Sequence, residues 1–411
     1  MKSKFFVLTM LAGLFAASLA ATPGLAQSKY DVGASDTEIK VGNTVAYSGP
    51  ISAYGTIGRV EAAYFKKIND EGGINGRKIK FISNDDANSA PKAVEQIRKL
   101  VEGDEVLLMF NTVGTSTNTA VQKYLNAKRV PQLFVGSGAT KWGNPESFPW
   151  TIGWQPTYQS EGSVFAKYIL EHYPDGKIGI LWQNEDFGKD YVKGLKDGLG
   201  DKKTMIVAEA SYEATDPTID SQIVALKASG ADLMMTFATP KAASQAIRKI
   251  GEIGWKPVHF LAGISNSVAS VIKPAGLDHS QGVISNSYMK DPTDPAWVND
   301  PATKEWLAFM NKYYPEGDKN NSLNVYGYLN AQTLVEVLKR CGNDLTRANV
   351  MKQAANLQEL ELGMLLPGIH ITTSPNDYYP IEDLQMQRFE DDSWHRFGPV
   401  ISSQIGARKS Q

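Results

Sequence analysis

The sequence predicts an α/β protein with two doubly wound parallel-sheet lobes joined by a hinge. Short β-like runs alternate with helical periods from Ile39 onward, and the same alternation restarts after Pro149. A chain of 411 residues also exceeds the length of about 250–300 residues at which single cores stop growing. Alternating strand and helix patterns form parallel sheets, so two such series imply two lobes.

The first series begins with a predicted strand at 39–45, which ends at the turn-forming residues 48–50. Apolar residues at helical spacing across 57–68 indicate a helix, and the glycine-rich stretch 72–76 ends it. Further strands are predicted at 79–83, 106–110 and 132–135, with helices beginning near Pro91 and Thr115. Proline is favoured in the first turn of a helix.

The second series repeats this rhythm. Strands are predicted at 178–182, 205–210, 233–237 and 259–261. Helices are predicted at 191–199, 219–226 and 242–253.

The remainder of the chain has a different character. A strand at 282–288 and a Pro- and Asp-rich loop at 292–301 precede long helices at 302–314 and 325–341. Two β-like runs, 384–389 and 393–397, flank an acidic turn and indicate a hairpin. We expect the helices to complete the first lobe and the hairpin to complete the second, so that the chain crosses between lobes three times. The predicted first lobe is 36–151 plus 287–366, and the second is 152–286 plus 367–400.

Residues 1–26 have the three-part form of a secretory signal peptide. Lys2 and Lys4 are followed by an apolar run at 5–21 and by small residues at 24–26. The alternative is an anchoring helix, but the run is shorter than the ~20 residues that a membrane span needs. We therefore expect export, most simply to a Gram-negative periplasm.

Composition and motifs argue against several functional classes. The 44 acidic and 42 basic residues are nearly balanced and no basic block occurs, so nucleic acid is not an expected partner. Cys341 is the only cysteine, so neither an intrachain disulfide nor a thiolate metal site is expected. The S-x-x-K match at 89–92 lacks its companion motifs, and no nucleophile elbow occurs. The histidines, which are not at metal-ligand spacing, are His172, His259, His279, His370 and His395. We predict no catalytic residues, no metal and no cofactor.

Two polar loops follow neighbouring strands of the first lobe. The loop at 136–141 lacks the glycine spacing of a nucleotide-binding motif, and the loop at 114–118 opens a helix. Parallel sheets place ligands beyond the carboxyl ends of their strands, and a helix N-terminus can hold a carboxylate. The alternative is that Thr115 or Ser116 merely caps the helix. Two such loops together favour a carboxylate site.

Several stretches, in their order along the chain, resemble the leucine/isoleucine/valine-type substrate-binding proteins of ABC importers. They are Ser48-Gly49-Pro50 with Tyr54-Gly55, the segment 69–77 reading NDEGGINGR, Asp85-Asp86, Ser116-Thr117, the segment 167–170 and Phe187-Gly188. The resemblance covers about residues 38–400. It implies the periplasmic binding protein type 1 fold, a small-molecule ligand enclosed by two closing lobes, and an ABC permease as partner. We expect a monomer.

The resemblance also implies positions that contact the ligand. Tyr54 would pack on its side chain, and the two polar loops would hold its carboxylate. The implied ligand-binding residues are Tyr54, Gly114, Thr115, Ser116, Ser137, Gly138, Phe187, Thr239, Ile264 and Tyr288.

One departure from the family bears on the ligand. The acid that binds an amino acid's ammonium group should follow Leu261, but 262–266 contains none. Because an unpaired buried ammonium is costly, we expect a carboxylate ligand without an α-amino group, such as an aromatic acid. The alternatives are that Glu185, Asp186 or Asp291 supplies the acid for a true amino acid, or that the protein is a ligand-sensing receptor.

Overall fold

The computed structural model describes residues 29–402 and contains two mainly parallel sheets. The predicted signal peptide lies outside the described residues. Within 29–402 no helix is long and apolar enough to cross a membrane.

The smaller sheet is built by the first βα series. Its elements, preceded by β1 (Lys29–Tyr30), are β2 (Glu38–Val45), α1 (Gly55–Asp70), β3 (Lys78–Asp85), α2 (Ala90–Arg98), β4 (Leu108–Phe110), α3 (Thr115–Ala127), β5 (Gln132–Val135) and β6 (Thr151–Gly153). The strand order β3-β2-β4-β5-β6 is entirely parallel. It is a doubly wound order whose direction reverses between β2 and β4.

The second series builds the larger sheet. Its elements are α4 (Tyr158–His172), β7 (Ile178–Gln183), α5 (Asp186–Leu199), β8 (Ile206–Tyr212), α6 (Asp220–Ala228), β9 (Leu233–Phe237), α7 (Pro240–Glu252), β10 (Val258–Leu261), the short helices α8 (Lys273–Ala275) and α9 (Leu277–Ser280), and β11 (Ile284–Ser287). All five residues of β9 are buried, as expected for a central parallel strand covered on both faces.

The last part of the chain returns to both lobes. It forms α10 (Pro301–Tyr313), α11 (Ser322–Cys341), β12 (Asp344–Leu345), α12 (Arg347–Ala354), β13 (Asp383–Glu390) and β14 (Ser393–Ser402). The three helices join the core of the first lobe, and β12 pairs with β1. The β13–β14 hairpin extends the larger sheet antiparallel to β11, giving the order β14-β13-β11-β10-β9-β7-β8.

Local sequence explains where key helices begin. Thr157 caps α4 by accepting from the Ser160 N–H at 3.0 Å, and Asp300 caps α10 by accepting from the Thr303 N–H. Side-chain oxygens at this position satisfy N–H groups that have no partner within the helix.

Close helix packing in the second lobe depends on glycine. A Cβ on Gly194 of α5 would lie 2.2 Å from the carbonyl oxygen of Gln159, and a Cβ on Gly162 of α4 would lie 2.6 Å from that of Tyr191. The backbones of α4 and α5 can therefore approach one another only because both positions lack a side chain.

Aromatic residues hold the chain where it crosses between the lobes. Trp154, just after β6, is fully buried, and its indole N–H donates to Thr333 of α11 at 3.1 Å. Its ring packs edge-on against Tyr288, which follows β11, and against Tyr326 of α11. The chain crosses again after β11 and once more before β13. The predicted fold class is confirmed, and the lobe boundaries stay a prediction, with 151/152 falling inside β6.

Candidate functional site

A cleft lies between the lobes at the carboxyl ends of the strands. It encloses about 840 Å³, including its open part, and its lining comes from both sheets. Loops that follow β2, β4 and β5 face loops that follow β7, β9, β10 and β11. Open α/β sheets bind ligands at this edge because the loops there converge.

The structure brings seven of the ten expected ligand-binding residues to this cleft. They are Tyr54, Gly114, Thr115, Phe187, Thr239, Ile264 and Tyr288. The other three stand behind or beside the lining. The Ser137 hydroxyl is bonded to that of Thr115 at 2.8 Å, Gly138 lies under the Tyr158 ring, and Ser116 faces Glu185.

The first turn of α3 presents backbone donors that its own cap residue does not satisfy. Gly114 is the N-cap, with φ of +113°, and it has no side chain to accept from the following N–H groups. The alternative that Thr115 or Ser116 caps the helix is wrong, since both lie inside it. Free N–H groups and the helix dipole make this turn attractive to an anion.

Aromatic side chains form the apolar wall of the cleft. Tyr54 is buried, and its hydroxyl donates to the carbonyl oxygen of Ile264 at 3.3 Å, which links the two lobes. Phe187 packs edge-on against Tyr158 with ring centroids 5.1 Å apart. Tyr326 joins Tyr54, Phe187 and Tyr158 in the lining. The wall suits a flat or aliphatic ligand body.

A buried acid from another element contacts the loop that follows β10. Glu161 of α4 is 2% exposed, and its Oε2 accepts from the Gly263 N–H at 3.0 Å and from Asn286 at 3.2 Å. Burial raises its pKa to about 7, and these hydrogen bonds limit the rise. Residues 262–266 contain no acid, as the sequence shows, but Glu161, which was not among the acids weighed as alternatives, contacts this loop. A signal existed in the sequence, because Glu161 lies on the same helical stripe as the buried Tyr158 and Phe165.

Of the three acids weighed as alternatives, only Glu185 lines the cleft. Its Oε1 accepts from Gln183 at 2.7 Å. Burial raises its pKa, whereas hydrogen bonds from the hydroxyl and backbone N–H of Ser116 lower it. Asp186 pairs with Lys141 at 2.5 Å, and Asp291 is buried against Thr293.

The ionisable side chains among the described residues that line the cleft include acids but no bases. Among the described residues that line the cleft, the ionisable carboxylates are Glu161 and Glu185, and no lysine or arginine is present. Gln183, Asn266, Asn286 and Thr239 add neutral hydrogen-bonding groups. A negative group entering this cleft must be held by neutral donors, which are backbone N–H groups, hydroxyls and side-chain amides.

The sequence profile described as "Periplasmic binding protein" matches residues 38–393. The chain belongs to the periplasmic binding protein family. It is 24% identical over 317 residues to the Leu/Ile/Val-binding protein homolog 1 of Brucella suis biovar 1 (strain 1330), covering 76% of this chain and 81% of that protein.

Solved structures share the fold of this binding protein. A branched chain amino acid ABC transporter protein from Thermus thermophilus with bound valine superposes with a TM-score of 0.80 at 15% identity, covering 90% of this chain and 97% of that one. A fatty acid ABC transporter substrate-binding protein from Thermomonospora curvata superposes with a TM-score of 0.77 at 19% identity, covering 92% and 95%.

Proposed function

We propose that this binding protein is the exported substrate-binding component of an ABC importer, and that it encloses a small carboxylate-bearing solute with an apolar body. The observation that carries the proposal is the first turn of α3. Its N–H groups open into a cleft that has an aromatic and aliphatic wall beside its polar groups. Such a cleft offers one strong anion site and a large apolar surface.

The ligand carboxylate would lie against the N–H groups that follow Gly114 and against the hydroxyl of Thr115. Ser137 supports this arrangement from behind, since its hydroxyl fixes that of Thr115. The ligand body would then lie between Tyr54 and Phe187, one from each lobe. This placement uses no basic side chain.

Two classes of ligand are considered, which differ in whether the ligand carries an amino group. The first class is a carboxylate without an amino group, aromatic or aliphatic, and the absence of an acid in 262–266 supports it. One protein of the same fold is a fatty acid ABC transporter substrate-binding protein. The second candidate is an amino acid, favoured by Glu161, whose carboxylate reaches the N–H of Gly263. An ionised Glu161 would pair with an ammonium group.

Closure of the lobes would enclose the solute and form the surface to which a permease binds. Contacts between the lobes include hydrogen bonds from Tyr54 to Ile264 and from Ser267 to Asn321 at 2.9 Å. Hinge closure about a ligand is a common mechanism in two-lobed proteins. We place the mature protein in the periplasm, exported by the signal peptide expected at 1–26.

The test compares ligands that differ by one group. Mature protein, unfolded and refolded to remove co-purified ligand, is screened by thermal shift with leucine, 4-methylpentanoate and 3-methylbutylamine. Phenylalanine, 3-phenylpropionate and 2-phenylethylamine form the aromatic series. A ligand at 100 times its Kd stabilises a protein by about 2.7 kcal/mol, which is readily measured.

Stabilisation by both the amino acid and its deaminated acid, but not by the amine, would support the carboxylate site. Stabilisation by the deaminated acids alone would favour a ligand without an amino group. Stabilisation by the amino acids alone would favour the second candidate, an amino acid. Stabilisation by the amines alone would refute the carboxylate site.

A further inference from the structure

Trp297, in the loop that follows β11, has two cations over its ring. The Arg396 guanidinium lies 4.2 Å from the centre of the ring, and the Lys290 ammonium lies 4.8 Å from it. Cations within about 6 Å of an aromatic face are attracted to it. The indole N–H is buried and donates to no residue that the structure describes. Contacts with the face of the ring therefore hold Trp297 in place, and a hydrogen bond at its edge does not.

The two cations come from different lobes. Lys290 forms an ion pair at 2.8 Å with Asp300, the N-cap residue of α10, and Trp297 packs on the core of the first lobe. Arg396 belongs to β14, and the next residue, Phe397, packs on a core cluster of the second lobe. The contact of Arg396 with Trp297 therefore joins the two lobes.

Arg396 also forms an ion pair across the same boundary. Its Nε donates to Oδ2 of Asp294 at 3.2 Å, and its Nη1 donates to Gln385 of β13 at 3.3 Å. The other carboxylate oxygen of Asp294 accepts from the N–H of Ala296 at 2.8 Å. The guanidinium is thus anchored in the hairpin and the carboxylate in the loop. Because Asp294 is only 6% exposed, loss of Arg396 would leave a nearly buried carboxylate without its cation, which is costly.

These contacts lie beside two of the places where the chain crosses between the lobes. The loop 291–300 follows the crossing after β11, and Gln385 lies near the start of β13, which follows the last crossing. Met289, which lines the cleft, comes directly before Lys290. The lobes also meet across the cleft in this structure. The contacts of Arg396 therefore belong to the closed arrangement of the lobes.

We propose that Arg396 is a positioning residue of the hinge, which favours the closed arrangement through Asp294 and Trp297 and thereby raises the affinity for the solute. A rotation that moves the hairpin away from the loop separates the guanidinium from both partners. A ligand that requires the closed form binds more tightly when the closed fraction is larger. This inference rests on the proposed function only for the ligand, since closure is measured without one.

The change in affinity follows from the change in the closed fraction. The apparent dissociation constant equals that of the closed form divided by the fraction of protein that is closed. A fall in this fraction from about nine-tenths to about one-tenth therefore weakens binding about ninefold. The affinity and the radius of gyration of the ligand-free protein must then change together.

The experiment removes the ion pair from each side. Arg396→Gln removes the charge on the second lobe, Asp294→Asn removes the charge on the first, and the double variant tests whether the two residues act through one another. Lys290→Gln is the matched control, because it removes a cation over the same ring and an ion pair that lies within the first lobe. Small-angle X-ray scattering of each refolded, ligand-free protein measures closure. Calorimetry with 3-phenylpropionate and leucine measures affinity, and urea unfolding measures stability.

We expect Arg396→Gln and Asp294→Asn each to have a larger ligand-free radius of gyration than wild type and to bind about ninefold more weakly whichever compound binds. The double variant should match the single variants. Lys290→Gln should lose stability but keep the radius and the affinity of wild type.

A wild-type radius in both single variants would overturn the proposal, even if their stability falls, because the pair would then support only the fold. A larger radius with an unchanged Kd would overturn the link to affinity, and additive effects in the double variant would show that the two residues act separately. If neither compound binds wild type, the proposed function fails, and the ligand-free radii alone decide whether Arg396 favours closure.

Discussion

Burial of Glu161 should make the stability of this binding protein depend on pH in a way that one substitution removes. Its pKa rises from an ordinary value of 4.5 to about 7 in the folded protein, chiefly through burial. Between these values the folded state binds more protons than the unfolded state, so stability falls as pH rises. Below about pH 4.5 the group has no effect, and above about pH 7 its full cost is present.

The magnitude follows from the two pKa values. A difference of one pKa unit corresponds to 1.36 kcal/mol, so ionisation of Glu161 costs about 3 kcal/mol of stability at pH 8. Glu161→Gln removes this cost and keeps an oxygen that can accept from Gly263 and Asn286. The variant should therefore be more stable than wild type at pH 8, and the difference should shrink towards pH 5.

Urea unfolding followed by tryptophan fluorescence, on ligand-free protein from pH 5 to pH 8, measures the effect. The difference between wild type and variant isolates Glu161 from other buried acids such as Asp291, whose pKa burial raises to about 6. Parallel stability curves for the two proteins across this range would refute the reasoning. They would mean that Glu161 is ionised at no cost in the folded protein.

Two further substitutions test packing and closure. Gly194→Ala should destabilise the protein by at least about 2 kcal/mol in urea unfolding, because the new Cβ would lie 2.2 Å from the carbonyl oxygen of Gln159. Gly103→Ala, where the nearest atom would be 3.9 Å away, should be nearly neutral, and equal effects would contradict the packing argument. Tyr54→Phe removes the hydrogen bond to Ile264 and should weaken binding of whichever panel ligand binds by about fivefold in calorimetry, as expected for loss of about 1 kcal/mol. An unchanged Kd would show that this contact does not favour the liganded, closed form.

Much of the fold was predictable because local signals and periodicity agree with the tertiary structure. The apolar run at 233–237 became a fully buried strand, and the hairpin around 390–392 formed as expected. The short strand β6 and the β1–β12 pair were not predicted. Strands of two or three residues carry too little periodicity to be recognised, and their pairing depends on distant partners.

For the candidate site too, some residues were predicted and others were not. Tyr54 and Phe187 were expected at the cleft from the family resemblance, and parallel sheets do bring the loops that follow their strands to one edge. The helical stripe indicated that Glu161 is buried, but not that it lies at the cleft, because that position depends on its contact with the loop at Gly263. The ion pair of Asp186 with Lys141 was not predictable either, because it joins residues 45 positions apart.

The sequence by itself determined the two-lobed architecture and the edge of each sheet that forms the cleft. These features follow from hydrophobic periodicity and from the rule that loops converge at the carboxyl ends of parallel strands. Only the tertiary structure decided which acids face the cleft and what they contact. Glu161 and Gly263 are 102 positions apart, and no local pattern encodes a contact over that distance, because it is set by how helices pack on sheets and how one lobe meets the other.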